Sequence, residues 1–229
     1  MFGLDTGLLI LLIVCLLAVC FFEFINGFHD TANAVATVIY THSLKPRVAV
    51  VWSGIWNFIG VYTGGIAVAM GIVNLLPTEA LVDQNVYHGI SMILALLITA
   101  VIWNLGTWYF GIPCSSSHTL IGSIFGVGIA YMLLPDAKNI ALNWAKVEDV
   151  SLSLLISPVF GFGVALLLMI ALKKIFKKQN KIFKEPSKTK APPWWIRSIL
   201  ILTCTSVSFS HGSNDGQKGV GLVMIILIG

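Results

Sequence analysis

Asn26-Gly27-Phe28-His29-Asp30-Thr31-Ala32-Asn33, residues 26–33, places a carboxylate inside a long apolar run. Glu23, Asn26, Asp30, Asn33 and Thr37 follow one another at offsets of three, four, three and four, which puts them on one face of a helix. An ionised group near the centre of a bilayer costs roughly 2.5–3.5 kcal/mol on insertion scales, so Glu23 and Asp30 need partners or a task. A polar stripe of this kind faces protein or water rather than lipid. The default expectation is an ion or substrate path.

The rest of the chain sets that stripe in a membrane. Of 229 residues, 57% are hydrophobic and 10% charged, and the mean hydropathy is +0.89, far too apolar for an average soluble domain. Apolar runs long enough to cross roughly 30 Å of hydrocarbon recur along it. Residues 1–7 carry Asp5 and no basic flank, so the first run is expected to be a retained span rather than a cleaved signal. The net charge is +4, but nine of the fourteen Lys and Arg residues lie between Lys173 and Arg197. That clustering speaks of topology, not of nucleic acid. Cys15, Cys20, Cys114 and Cys204 form no CxxC pair and have no His at zinc-ligand spacing, so they read as packing residues. No resident metal or cofactor is expected.

Spans are predicted at 8–28, with a bent continuation to 43 allowed, and at 48–75, 89–111, 119–135, 152–172 and 194 to the end. Lys45-Pro46-Arg47 and the run from Lys173 to Lys190 are basic, whereas the loops near Glu79 and Asp83 and near Asp136, Glu148 and Asp149 lean acidic. The positive-inside rule then puts the N-terminus outside, the 44–47 turn inside, the 76–88 and 136–150 loops outside, and the 173–193 linker inside. Trp194-Trp195 read as an interfacial anchor. The Gly60/Gly64 and Gly122/Gly126 spacings permit close helix packing.

A second intramembrane acid, Asp215, lies in His211-Gly212-Ser213-Asn214-Asp215-Gly216-Gln217-Lys218. At a constant offset of 185, Gly27 pairs with Gly212, Asp30 with Asp215, Asn26 with His211 and Asn33 with Lys218. An odd number of crossings separates the two copies, so they enter the membrane from opposite sides. The fold class expected is therefore an all-α polytopic membrane protein. More narrowly, it is an inverted-repeat secondary transporter whose helices are interrupted at Gly27 and Gly212, with residues 1–172 as the first repeat, 173–193 as linker and 194–229 as the start of the second.

Between two apolar segments, Gly111-Ile112-Pro113-Cys114-Ser115-Ser116-Ser117-His118-Thr119 ends one helix and starts another. Three serines at a helix N-terminus offer hydroxyls and unpaired amide N–H groups at the positive end of the dipole, a setting that suits a tetrahedral oxyanion. The plainer alternative is an N-cap and turn. His118 is expected either to relay protons or help bind the anion, or to be a structural hydrogen bonder, and Trp103, Asn104, Thr107 and Trp108 are expected to line and close the site, with aromatic packing as the plainer alternative.

GFHDTANAVAT (27–37), WNLGTWYFGIPCSSSHTLIGS (103–123) and SHGSNDGQKGVG (210–221) together resemble the bacterial branch of the PiT family of inorganic phosphate transporters. The resemblance implies a phosphate symporter of the bacterial inner membrane. In it Ser115, Ser116, Ser117, Asn33 and Asn214 hold phosphate, and Asp30, Asp215 and Glu23 handle the coupling ion; His118, Lys218 and Asn104 are further candidates. His29 stands where the family usually has Asn, and Gln217-Lys218 stand where it has Ala-Asn. Those departures point toward proton rather than sodium coupling, and toward uptake of a neutral complex of phosphate with a divalent cation. The resemblance also implies a second serine turn beyond Gly229, so the chain is expected to be the first part of a longer transporter, or to need the missing half or a second copy as partner.

No covalent chemistry is needed for this task, and no enzyme is expected. Sulfate is the alternative cargo. A phosphoesterase would need Ser117-His118 as nucleophile and base, but adjacent helical positions point apart.

Overall fold

The computed structural model describes residues 5–75, 86–134, 143–177, 183–187 and 190–228. The described residues form eight helices and no strand: α1 Thr6–Tyr40, α2 Pro46–Thr63, α3 Ala67–Val73, α4 Val86–Tyr109, α5 Ser116–Met132, α6 Trp144–Ile175, α7 Trp194–Asn214 and α8 Gly216–Ile228. The fold is all-α. Much of the acidic loops expected at 76–88 and 136–150, and part of the 173–193 linker, lie outside the described residues.

Three of the described helices are long and apolar enough to cross a bilayer: α1, α6 and the Gly89–Tyr109 part of α4. A fourth span arises if α2 and α3 are taken together, although the pair is bent by 71° at its break. The segment expected as one span over 48–75 is thus broken. Gly64 closes α2 and Gly65 takes a left-handed conformation at φ +77°, which a glycine reaches without Cβ strain. The segment expected at 119–135 is α5, 17 residues and about 25 Å long, short of a full hydrocarbon thickness.

Interruption falls elsewhere than the repeat pattern predicts. α1 runs unbroken through Gly27 for 35 residues. A single glycine in a helix costs about 1 kcal/mol against alanine, too little to stop one embedded in a strong apolar run without proline. The second signature is interrupted, between α7 and α8, with Asp215 as the single residue between them. Its N–H still bonds the carbonyl of His211, while Lys218 N–H reaches back to the Asp215 carbonyl over a tighter turn.

Two broken pairs lie side by side. Trp52 Nε1 donates to Thr205 Oγ1 at 2.8 Å, buried Ser208 Oγ donates to Ser53 Oγ at 2.8 Å, and Gln217 Nε2 donates to the Val61 carbonyl at 2.8 Å. These partners advance together, so α2 and α7 are parallel, and α3 continues along α8. Arg197 Nε donates at 2.8 Å to the carbonyl of buried Ser43, tying the start of α7 to the turn after α1. The helix of the first signature therefore ends where that of the second begins, and the two run in opposite directions. The basic 44–47 turn and the end of the basic linker share that face of the molecule.

Small residues allow this pairing. A Cβ at Gly60 would stand 2.9 Å from Ser213 N and 3.1 Å from Gly212 Cα, and one at Gly212 would overlap the backbone of Asn57. Gly122 and Gly126 have nothing within 4 Å and serve no such contact. Gly60→Ala or Gly212→Ala should each lower stability by about 1–3 kcal/mol, because a backbone neighbour cannot rotate away. Gly122→Ala should not destabilise, and thermal unfolding of the purified proteins in detergent makes the comparison.

The main apolar core joins α1, α3, α4, α5 and α8 around Phe22, Ile93, Leu97, Leu120 and Leu222. Cys15 belongs to it, and Cys204 packs in a smaller cluster with Val35, Val38 and Ala49; both are buried and free, in keeping with packing roles. None of the residues of α6 is buried, which suits a helix facing lipid.

Candidate functional site

α4 stops at Tyr109 through a reversal built on Gly111. Gly111 N–H bonds the Trp108 carbonyl at 3.1 Å and Ile112 N–H bonds the Thr107 carbonyl at 2.8 Å, with Gly111 left-handed at φ +67°. This paired Schellman closure satisfies carbonyls at the helix end and turns the chain back on itself. Pro113 and extended Ser115 then lead into α5. Ser115 is the N-cap: its Oγ accepts from His118 N–H at 3.4 Å and also meets His118 Nδ1 at 2.8 Å. Ser116 and Ser117 follow as the first helical residues, whose amides have no intrahelical acceptor. The cap and the exposed donors thus belong to different serines of the same cluster.

The turn faces the two signatures. A cavity of about 220 Å³ is lined by His29, Asp30 and Asn33 from α1, Asn104 from α4, Cys114 to Ser117, and Asp215. At about 30 Å³ per water, it holds roughly seven waters or a small hydrated oxyanion. Asp30, His211 and Asp215 bring one donor atom each to within 4.8 Å of one another. Two ionised carboxylates at that separation repel by on the order of 3 kcal/mol at an effective dielectric of about 20, so the pair needs a proton or cation.

Several polar atoms around the cavity lack a partner in the protein. Asn104, 2% exposed, accepts at Oδ1 from the Cys114 thiol at 3.4 Å, which leaves its buried Nδ2 unpaired. His29 Nε2 and His211 Nδ1 are likewise buried and unpaired. Buried polar groups are nearly always hydrogen-bonded, so nitrogens left open around a cavity mark it as a place for a polar guest. An anion offers the matching acceptors.

The other expected residues lie around this cavity rather than in it. Asn214 is exposed, donates from Nδ2 to the Ser210 carbonyl at 3.1 Å, and lines a second cavity of about 440 Å³ with Ser117, Asp215 and Lys218. His118 and Trp103 line a third, of about 640 Å³, which shares Cys114 and Ser115 with the first. Trp108 packs edge-on against Phe28 at 5.6 Å, and Phe28 stacks on His29 at 4.9 Å. Thr107 returns its hydroxyl to the Trp103 carbonyl at 2.8 Å. Glu23, two turns from Asp30, presses its carboxyl where a Cβ of Gly219 would go, with a buried, unpaired Oε1. Lys218 pairs with Asp215 at 2.6 Å.

Sequence reasoning did not single out His29, Cys114 or His211 as site residues. For His211 a signal existed, since it precedes Asp215 by four residues and so shares its helical face. Cys114 carries no such mark, because its place follows from the reversal at Gly111.

The phosphate transporter family matches residues 26–229 of the chain. Over 237 residues the chain is 48% identical to the low-affinity inorganic phosphate transporter PitA of Escherichia coli (strain K12), a match covering 99% of this chain and 48% of that protein. PitB of the same strain is 47% identical, with 99% and 48% covered. The probable low-affinity inorganic phosphate transporter of Bacillus subtilis (strain 168) is 38% identical, with 96% and 60% covered. The chain spans about half the length of the first two of these curated relatives. No solved structure matches.

Proposed function

The chain belongs to the phosphate transporter family, and from that membership we propose that it carries inorganic phosphate through the bacterial inner membrane by alternating access, coupled to a proton. Family and relatives are transporters rather than enzymes. The observation that carries the proposal is the cavity where a serine-capped helix N-terminus meets two carboxylates from antiparallel signature helices.

Phosphate must exchange its hydration shell for fixed donors. Ser116 and Ser117 supply hydroxyls and backbone amides at the positive end of α5, and Asn104 Nδ2 supplies one more. Ser115, held by His118, keeps the turn in shape. Asp30 and Asp215 face the same space, and an anion cannot settle beside both while they are ionised. Proton binding at this pair is therefore the coupling step: it removes repulsion as phosphate enters and returns it as the proton leaves. A divalent cation accompanying phosphate would meet the same need, with His211 as a third donor.

The test is binding and uptake of radiolabelled phosphate by the purified chain, in detergent and in proteoliposomes with an imposed pH gradient. Saturable binding that a tenfold excess of sulfate fails to displace is expected, with uptake following the proton gradient. Equal displacement by sulfate would make the cargo a general oxyanion, and no binding would sink the proposal.

A further inference from the structure

Cys114 differs in its setting from Cys15 and Cys204, which pack in apolar clusters. It lines the serine cavity and also the larger one that holds His118 and Trp103, so it belongs to the wall they share. Its contacts are polar on two sides. The thiol donates to Asn104 Oδ1 at 3.4 Å, across the reversal that separates α4 from α5, and Sγ lies 3.3 Å from Thr119 Oγ1 in the first turn of α5. A thiol has a single hydrogen. With that hydrogen on Asn104, the sulfur can only accept from Thr119, whose hydroxyl also lies 3.1 Å from the Ser115 carbonyl. The contacts then run in one direction, from the serine turn through sulfur to the Asn104 amide.

Asn104 is where that direction matters. Its side chain is 2% exposed, lines the serine cavity and has no partner in the protein for Nδ2. A primary amide has a donor end and an acceptor end of nearly equal size, so shape alone does not choose which end meets the cavity. The flipped amide would set a carbonyl oxygen against an anion and leave the thiol without an acceptor on α4. A donor that holds Oδ1 makes the choice.

We propose that Cys114 is a positioning residue for the anion: its S–H holds the Asn104 carbonyl oxygen and so keeps the N–H donors of that amide turned into the serine cavity. This role rests on the reading of the cavity as an anion site, but the orientation itself is testable without phosphate.

Infrared spectra of the purified protein in detergent show the S–H stretching band, which stands apart from other protein bands and falls in frequency when the thiol donates a hydrogen bond. The Cys114 band is the one lost in Cys114→Ser. It should rise in Asn104→Leu, which has no acceptor, and move less or not at all in Thr119→Val. A larger movement in Thr119→Val, or none in Asn104→Leu, overturns the proposal. In phosphate titrations Cys114→Ala should raise the dissociation constant about threefold to tenfold, the loss of one neutral hydrogen bond, and Cys114→Ser, which keeps a donor, should recover most of that loss. Adding Cys114→Ala to Asn104→Leu should weaken binding no further, because the thiol acts through the amide; additive losses overturn the proposal. Should Cys114→Ala fail to fold, Cys114→Val fills similar space without a donor and is read in the same way. The expected infrared pattern without phosphate binding by the wild type faults the anion reading and ends the role with it. Phosphate binding with the wrong infrared pattern faults Cys114 alone.

Discussion

Asp30→Asn and Asp215→Asn should each reduce gradient-driven phosphate uptake by about a hundredfold, while phosphate binding at equilibrium stays as tight or tightens. The sign follows from charge. A carboxylate lining a small cavity repels an anion placed there by on the order of 3–4 kcal/mol at an effective dielectric of about 20, so its neutral isostere favours the bound anion. What the substitution removes is the site of the coupling ion. A carrier that cannot couple still exchanges phosphate for phosphate across the membrane, but no longer accumulates it. Proteoliposomes separate the two readouts, net uptake under an imposed pH gradient on one side and exchange of labelled for unlabelled phosphate on the other. Uptake at the parental rate, with the parental pH dependence, would remove the coupling role from the acid concerned.

Replacing Ser116 and Ser117 together with Ala should have the opposite signature, a phosphate dissociation constant raised by about a hundredfold or more. Hydrogen bonds to a charged group contribute roughly 1.5–3 kcal/mol each, and two lost hydroxyls exceed the 2.7 kcal/mol that a hundredfold represents. The α5 amides remain, so binding weakens rather than vanishes. Stability should hardly change, because neither serine is the cap. Ser115→Ala reverses that pattern, since it removes the acceptor for His118 N–H and should cost about 1 kcal/mol of stability with a smaller effect on binding. Phosphate titrations and thermal unfolding on the same preparations separate the donors from the cap. An unchanged dissociation constant in the double variant would reduce all three serines to turn residues.

The helices themselves were legible because they are local. Apolar runs of membrane length, the basic turn at 44–47 and proline ahead of a serine cap each act within a few residues, and the observed helices overlap every predicted span. Breaks were harder to place. Gly27 sits beside an acid as Gly212 does, yet α1 passes through it unbroken while the second signature breaks at Asp215. A helix in apolar surroundings tolerates an isolated glycine unless a neighbour takes over its hydrogen bonds. At the second signature little hydrogen bonding is lost, since Asp215 N–H keeps the His211 carbonyl and Lys218 N–H takes the Asp215 carbonyl, while the bare backbone of Gly212 packs on Asn57 of α2. The break between α2 and α3 followed from Gly64-Gly65, whose left-handed second member is a turn signal that mattered more here than the apolar average around it.

Chain order and hydropathy were enough to establish an all-α membrane protein, with a polar stripe through Asp30, a second acid in an echoed motif and a serine-capped helix start, because each depends on spacing along one helix or one turn. They could not say that Asp30 and Asp215, 185 residues apart, approach within 4.8 Å, nor that Asn104, His29 and Cys114 close around them while Asn214 and His118 look into neighbouring cavities. Those relations depend on how closely whole helices approach. Here α1 meets α8 where the bare backbone of Gly219 lies against Glu23, α2 meets α7 at Gly60 and Gly212, and the reversal at Gly111 turns the serines back, contacts between segments that no local periodicity encodes.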